Sequence, residues 1–324
     1  MKNNSEVRKS IQSNLTCYVQ CLACLTALFL NSPLNADDAG QLEGAGYLNA
    51  WSSSVSAVKS YRIRSTTSSS GFSPDGSSVE SKKVYVMRVD HARKKYLVLS
   101  EYSESSVTKD GKESDLTAAY AFGVDADEGW TFNPNGNEGM RRFELPTHVL
   151  LAQFGFPEHR YVGLSSDLRS YPPNANLEQR IDDYFSPARP LSFRMTTEGD
   201  ASIVLASSAG EFDFTESWLI SGSRFVPLNS SKSVKAKIGN TWTKTSSEQY
   251  EWEERQGLQL PTKVIGERLK YWIKPDGKRG TYTVFYDTQF QWESVNDDFE
   301  IDTAMIPMTA EILKEVRKSV KPGY

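Results

Sequence analysis

Residues 282–292 read Tyr-Thr-Val-Phe-Tyr-Asp-Thr-Gln-Phe-Gln-Trp, and large apolar side chains alternate with polar ones along most of this stretch. Successive side chains of a β-strand point to opposite faces, so one face carries Tyr282, Val284, Tyr286, Phe290 and Trp292. A period of two is typical of an antiparallel strand that is buried on one face and solvated on the other. The stretch therefore predicts a long strand whose aromatic face is covered.

Strand patterns of this kind fill most of the chain before this stretch. Phe212–Ile220 repeats the alternation, with Phe212, Phe214, Trp218 and Ile220 on one face. Other runs of β-branched and aromatic residues predict strands at 61–66, 83–90, 95–102, 117–124, 130–133, 241–254 and 263–273. The Ser-, Gly- and Pro-rich stretch 67–81 is predicted to be a loop. Long neighbouring strands joined by short turns indicate an antiparallel meander.

Three segments have helical signals instead. Residues 41–60 place Leu48, Trp51 and Val55 on one stripe, residues 145–154 carry a proline near their first turn, and residues 309–320 repeat the apolar spacing of three and four. These elements predict a mainly β protein of the α+β class, with a curved antiparallel sheet or half-barrel packed on two or three helices. No internal repeat or linker is visible in the sequence, so we expect one domain.

The N-terminal segment has the organisation of a secretory signal peptide. A basic head with Lys2, Arg8 and Lys9 precedes an apolar run at 15–30 and a small-residue exit that ends at Ala36. We therefore expect residues 1–36 to be removed, which leaves 37–324 as a single β-rich exported domain. An uncleaved anchor is the main alternative, and membrane contact through this segment is expected only in that case.

Cysteine content adds a location to this prediction. All three cysteines, Cys17, Cys21 and Cys24, lie inside the apolar run, and lipid attachment at Cys24 is a further alternative. The mature chain would have no cysteine, whereas small secreted animal domains usually depend on disulfides. We expect a bacterial protein that is periplasmic or secreted.

Charge and residue content argue against several function classes. The net charge of the whole chain is −4, and the leader removes more basic than acidic residues, whereas nucleic-acid binding needs clustered Lys and Arg. The three histidines have no ligand spacing, so no metal site and no cofactor are expected. No Gly-x-Ser-x-Gly elbow or glycine-rich phosphate loop occurs, and we expect no enzyme. A triad assembled in space around His148 or His159 stays open.

Large aromatic residues are the strongest remaining signal, and they have two interpretations. They either form the core beneath the helices, or partly line a cleft for an acyl chain or another apolar ligand. A helix that acts as a movable plug would reconcile the two. The candidate ligand-binding residues are Trp218, Trp252, Tyr282, Tyr286, Phe290 and Trp292.

Two short phrases within this order of elements suggest a family. Leu260-Pro-Thr-Lys-Val264 precedes the long aromatic strand, and Asn296-Asp-Asp-Phe-Glu-Ile301 follows it. The chain is predicted to be exported, and its first element is an amphipathic helix that strands follow. In this order of elements, residues 41–301 resemble the bacterial periplasmic lipoprotein-sorting carriers. The resemblance implies an antiparallel half-barrel around helices that holds lipoprotein acyl chains on its concave apolar face. Residues 165–190 are extra relative to a minimal carrier, and no motif transfers a specific carrier residue.

The resemblance leads to two hypotheses about function. The first is a non-enzymatic envelope protein that binds a lipid or a lipoprotein acyl chain. The second is an envelope interaction or structural protein, whose partner is another envelope protein and whose apolar face is filled. A ligand-sized cavity distinguishes the first from the second.

Overall fold

The computed structural model describes residues 38–72, 76–133, 140–163, 191–273 and 279–303. Its helical elements are helix α1 (Asp38–Ser56), helix α2 (Thr147–Phe154) and a 3-10 turn (His159–Tyr161). The strands are β1 (Ser60–Phe72), β2 (Ser78–Asp90), β3 (Lys95–Val107), β4 (Glu113–Asp125), β5 (Glu128–Phe132), β6 (Arg141–Glu144), β7 (Leu191–Met195), β8 (Ala201–Ala209), β9 (Phe212–Ile220), β10 (Pro227–Ala236), β11 (Thr243–Arg255), β12 (Leu258–Ile273) and β13 (Arg279–Val295).

The strands form a single sheet in which the first and last strands meet in the middle. Its order is β6-β5-β4-β3-β2-β1-β13-β12-β11-β10-β9-β8-β7, and every neighbouring pair is antiparallel. Each half is a meander, and strands β6 and β7 are its two edges. The prediction of a mainly β, antiparallel architecture is confirmed.

Both described helices pack on the same face of the sheet, which we call the helix-bearing face. Helix α2 begins after Pro146, ends at Gly155 in the left-handed conformation (φ 69°), and buries Leu150, Leu151 and Phe154. These side chains join a main core built from the central strands, whose largest members include Tyr61, Met87, Phe122, Phe290 and Trp292. No helix in the described residues combines the length and apolar character needed to cross a bilayer.

The opposite face carries a smaller core. The C-terminal segment 296–303 crosses behind β2–β5, where Ile301 packs with Leu97, Leu99 and Trp130. The indole N–H of Trp130 donates to the carbonyl of Thr303. The segment 296–303 thus covers one part of the face opposite the helices, which is otherwise largely polar.

The structure corrects the predicted loop at 67–81. Strand β1 continues to Phe72 and β2 starts at Ser78, so most of the Ser-rich stretch is paired backbone. Hydroxyl pairs hold it laterally, with Ser69 Oγ 2.6 Å from Ser81 Oγ and Thr67 Oγ1 2.9 Å from Thr288 Oγ1. The leader 1–36, the segment 165–190 and the helix predicted at 309–320 lie outside the described residues, so packing on two or three helices stays a prediction.

Candidate functional site

The six predicted ligand residues all lie on or beside the helix-bearing face, but the structure separates them into three groups. Trp218 and Trp252 lie at helix α1, Phe290 and Trp292 lie in the main core, and Tyr282 and Tyr286 lie beyond it. One row of residues, paired in register across six neighbouring strands, changes from apolar to polar side chains between these groups. It runs from β8 to β13 through Ile203, Trp218, Ser230, Glu248, Gly266 and Tyr286.

Helix α1 covers a second, separate apolar cluster at the β7 edge. Its stripe of Leu48, Trp51 and Val55 is 0–5% exposed, as the sequence pattern predicts. Beneath the stripe lies a surface that we call the α1 floor, formed by Ala201, Ile203, Leu205, Trp218, Ile220 and Val226. Trp252 packs against both this cluster and the main core, so it marks the boundary between them.

One polar atom beneath α1 is left unsatisfied. Trp51 is fully buried, and its indole N–H has no hydrogen-bond partner within the described part of the chain. By contrast, Trp218 donates to the carbonyl of Gly163 at 2.9 Å and Trp252 to that of Pro227 at 2.6 Å. A buried donor without an acceptor costs about 1–3 kcal/mol. The indole N–H groups of these two sheet tryptophans are therefore satisfied, whereas the docking of helix α1 includes the cost of the unsatisfied Trp51 N–H.

Phe290 and Trp292 belong to the main core and are 7% exposed. Trp292 donates its indole N–H to Pro261 at 2.7 Å, and its ring meets Tyr61 edge-on at 5.5 Å. The His159 ring of the 3-10 turn lies 5.3 Å from the Phe290 ring. With α1, α2 and the 3-10 turn in place, these two side chains are core residues, and polar substitution here would act first on folding.

Tyr282 and Tyr286 lie in a polar half of the face. The Tyr286 ring lies directly over Gly266, where a Cβ would come within 2.6 Å of it, and its hydroxyl donates to Glu248. The Tyr250 hydroxyl donates to the same carboxylate at 2.5 Å, and Arg268 lies 4.0 Å from it. Burial raises the pKa of Tyr282, with the Glu104 carboxylate as a second cause. This half offers hydrogen-bonding groups rather than an apolar cleft.

A buried ion pair lies within the 3-10 turn, next to the start of β1, and no sequence pattern predicts it. The Glu158 side chain is completely buried and accepts from Arg160 Nε at 3.0 Å and from Arg160 Nη2 at 3.0 Å. Arg160 also donates to the carbonyl of Val58 at 3.1 Å, next to helix α1. Burial alone would raise the pKa of Glu158, but the charge and hydrogen bonds of the Arg160 guanidinium hold it below its usual value.

His91 completes this cluster as a neutral ring. Its Nδ1 lies 3.2 Å from the Tyr96 hydroxyl, and its Nε2 lies 3.8 Å from Glu158. Burial, and then the Arg160 guanidinium, lower the pKa of His91 from 6.5 to about 3. The cluster is therefore a structural staple in which only Arg160 and Glu158 carry charge near neutral pH.

We expect this ring to make the fold acid-sensitive. The unfolded chain binds a proton near pH 6.5, whereas the folded His91 binds one only near pH 3, so stability falls as pH falls through that window. The free energy of unfolding should drop by up to about 1.4 kcal/mol per pH unit just below pH 6.5. Urea unfolding across this range should show a shallower dependence for His91→Gln. Equal slopes in the two proteins would contradict the assignment.

A serine and a histidine do meet on the helix-bearing face, but not as a catalytic pair. Ser65 Oγ lies 2.9 Å from His159 Nε2, which meets part of the geometry of a triad. Ser65 is only 1% exposed in the middle of β1, beneath the 3-10 turn. A substrate carbonyl cannot reach an oxygen that is covered in this way. The contact therefore fixes the turn to the sheet and offers no nucleophile.

A shallow cavity of about 290 Å³ lies away from the predicted aromatic surface. Its lining includes Leu228, Gln249, Glu251, Lys263 and Ile265. Three of these side chains are polar or charged, and most of the lining belongs to the face opposite the helices. It does not provide the apolar cleft that the sequence suggests.

No family model matches the chain, and no curated protein matches it. Among solved structures, it is similar to a DUF1329 family protein from Desulfovibrio piger, with a TM-score of 0.38 and 11% identity over 84% of this chain and 98% of that one. A domain from Vibrio parahaemolyticus that is named for outer membrane lipoprotein sorting has a TM-score of 0.38 and 9% identity, over 85% of this chain and 99% of its own.

A third similar structure is a beta-barrel-like protein of the DUF1849 domain from Brucella abortus. Its TM-score is 0.29, and its 6% identity extends over 73% of this chain and 100% of that one. The structural neighbours thus include the kind of lipoprotein-sorting domain that the sequence resembles. The scores describe a remote likeness.

Proposed function

We propose that this chain is a non-enzymatic protein of the bacterial envelope that binds the apolar chain of a lipid or lipoprotein on the α1 floor. The observation that carries the proposal is a buried apolar surface on β8 and β9 that, among the described residues, is covered chiefly by one helix. In this proposal α1 occupies the surface in the ligand-free state and moves aside when an acyl chain enters.

Helix α1 is well suited to leave its place. It contains Gly40, Gly44 and Gly46, each of which costs a helix about 1 kcal/mol relative to alanine. It depends on packing for its stability, and Trp51 packs there with an unsatisfied N–H. The cluster it covers is separate from the main core, so its release leaves the central strands packed.

The free energy that α1 gains by burying its side chains is of the same order as the free energy that an acyl chain would gain in its place. Burial of Leu48, Trp51 and Val55 contributes about 1.5–3 kcal/mol each, or roughly 5–9 kcal/mol together. An acyl chain gains about 0.8 kcal/mol for each methylene that it buries, so about ten methylenes offset the loss. An ordinary fatty acyl chain is long enough to compete with the helix.

The leader-like segment at residues 1–36, with its basic head, apolar run and small-residue exit, supports the proposed location. Absence of cysteine after Cys24 fits a bacterial periplasmic or secreted protein.

A specific observation also favours the second hypothesis, a filled-core protein that contacts another envelope protein. Trp218, Phe290 and Trp292 are 3–7% exposed, so these three side chains offer no free apolar surface to a ligand while the helices and the 3-10 turn are docked.

Native mass spectrometry with lipid extraction tests the proposal on protein exported to a bacterial periplasm. Ile203→Asn puts an amide into the α1 floor, where the side chain is 0% exposed, and we expect the co-purifying lipid to fall at least about fivefold. Ile265→Asn is the matched control, because that side chain is 43% exposed on the opposite face. A wild-type protein of clean mass that takes up no added lipid would favour the filled-core hypothesis.

A further inference from the structure

One end of the sheet exposes an unusual amount of apolar surface. The hairpins β1–β2, β3–β4, β8–β9, β10–β11 and β12–β13 all turn at this end, because neighbouring strands alternate in direction. We call it the far rim, since the turns contacted by α2 and the 3-10 turn lie at the opposite end. Seven of the ten exposed large apolar side chains in the described residues lie at or near it: Phe72, Val107, Leu116, Phe212, Ile238, Trp242 and Phe285.

The opposite end does not share this property. Its turns at 91–94, 126–127 and 256–257 contain no large apolar side chain, and the exposed large apolar side chains at this end of the described sheet are Met195 and Phe225. At the far rim, by contrast, Ile238 is 94% exposed and Phe72 is 71% exposed. Soluble proteins rarely display so many apolar tips together, and such surfaces mark contacts with other proteins or with membranes.

The β10–β11 hairpin shows which of these partners fits. Residues 230–245 contain four lysines and no acidic residue, in a chain whose net charge is −4. Three of the lysines also form ion pairs with acids of neighbouring strands, and Lys237 lies at the tip beside Ile238. Trp242 packs beneath Lys235, whose Nζ lies 5.0 Å from the ring centroid. Exposed aliphatic tips with Trp and Lys just behind them are typical of segments that enter a membrane interface.

We propose that the far rim docks on the surface of a lipid bilayer, with Ile238 and Phe72 entering the interface. The apolar tips stand on separate hairpins along one edge, an arrangement that a fluid bilayer surface accommodates without requiring a matching shape. Lys237, at the tip of the β10–β11 hairpin beside Ile238, complements the phosphates of anionic lipids. Docking would bring the helix-bearing face next to a source of lipid. The docking proposal does not depend on lipid binding to the α1 floor.

Flotation with vesicles tests this surface on the periplasmic protein. We expect the wild type to float with phosphatidylglycerol vesicles, and Ile238→Asp or Phe72→Asp to weaken the partitioning about tenfold. Lys237→Ser should weaken it about fivefold on phosphatidylglycerol and leave binding to phosphatidylcholine unchanged. Ile265→Asp introduces the same chemical change away from the rim and should float as the wild type does.

Three outcomes would overturn the proposal. The wild type would stay with the unbound protein, both rim variants would float like the wild type, or the wild type would form a dimer in solution that Ile238→Asp abolishes. Circular dichroism confirms that each variant is folded. Ile203→Asn separates this proposal from the previous one, because it should lose bound lipid and still float with the vesicles.

Discussion

Glu158→Gln should destabilise the protein by about 3–5 kcal/mol, because it leaves the buried Arg160 guanidinium without its counter-charge. The carboxylate is completely buried and accepts two side-chain hydrogen bonds from that guanidinium. Arg160 in turn donates to Val58, so the loss reaches the link between α1 and β1. Most of this effect would be the cost of an unpaired buried cation rather than the net value of the pair.

Urea unfolding at neutral pH measures this effect, with Glu251→Gln as the control. Glu251 lies on an exposed position of β11, so the same chemical change there should alter stability by less than about 0.5 kcal/mol. If the two variants unfold at the same urea concentration, the Glu158–Arg160 pair is not the staple described above.

Trp51→Ala should release helix α1 while the sheet stays folded. The side chain is fully buried over the α1 floor, and truncation of a buried tryptophan costs about 3–5 kcal/mol. Removal of its unsatisfied N–H reduces this cost somewhat. Because α1 covers a cluster separate from the main core, we expect the loss to appear as local opening of 38–56 and as tighter lipid binding.

Hydrogen exchange resolved by segment distinguishes local from global effects. Amides of α1 should exchange at least about a hundredfold faster in Trp51→Ala, while those of β1 and β13 keep their protection. Ser53→Ala, at an exposed position of the same helix, should leave both unchanged. If the whole sheet loses protection together with α1, the helix is an integral part of the core and the filled-core hypothesis is favoured.

Alternation of side chains predicts the sheet well where one face is strongly apolar. Strand β9 spans Phe212–Ile220, the residues that the pattern marks, and β13 contains the whole predicted stretch 282–292. Strand β8, Ala201–Ala209, is mostly small residues, and the part of the β1–β2 hairpin at 67–81 is rich in serine, so the side-chain pattern predicts a strand in neither. These strands form because their neighbours offer a ladder of backbone hydrogen bonds, a tertiary effect that local sequence does not contain.

The candidate site is less predictable than the fold for a related reason. The side-chain pattern predicts that Trp218 and Trp292 share one face of the sheet. It does not predict that helix α1 covers Trp218 whereas Trp292 lies in the main core. Glu158 and Arg160 are two polar residues in an irregular segment, and only the folded chain shows that they are buried. Phe72 lies on the same strand as Tyr61 but on the opposite face, so the burial of Tyr61 says nothing about the exposure of Phe72.

The distance between α1 and the sheet, measured with and without lipid, tests the central claim most directly. Spin labels at Gly46→Cys, where no atom lies within 4 Å of an added Cβ, and at Ile265→Cys on the opposite face would report it, with Cys17, Cys21 and Cys24 replaced by serine wherever they are retained. Pulsed electron paramagnetic resonance should show a single distance between the two spin labels in the lipid-free protein. Once an acyl lipid binds, we expect a longer and broader distribution of this distance. Bound lipid with an unchanged distance would contradict displacement of α1 from the floor.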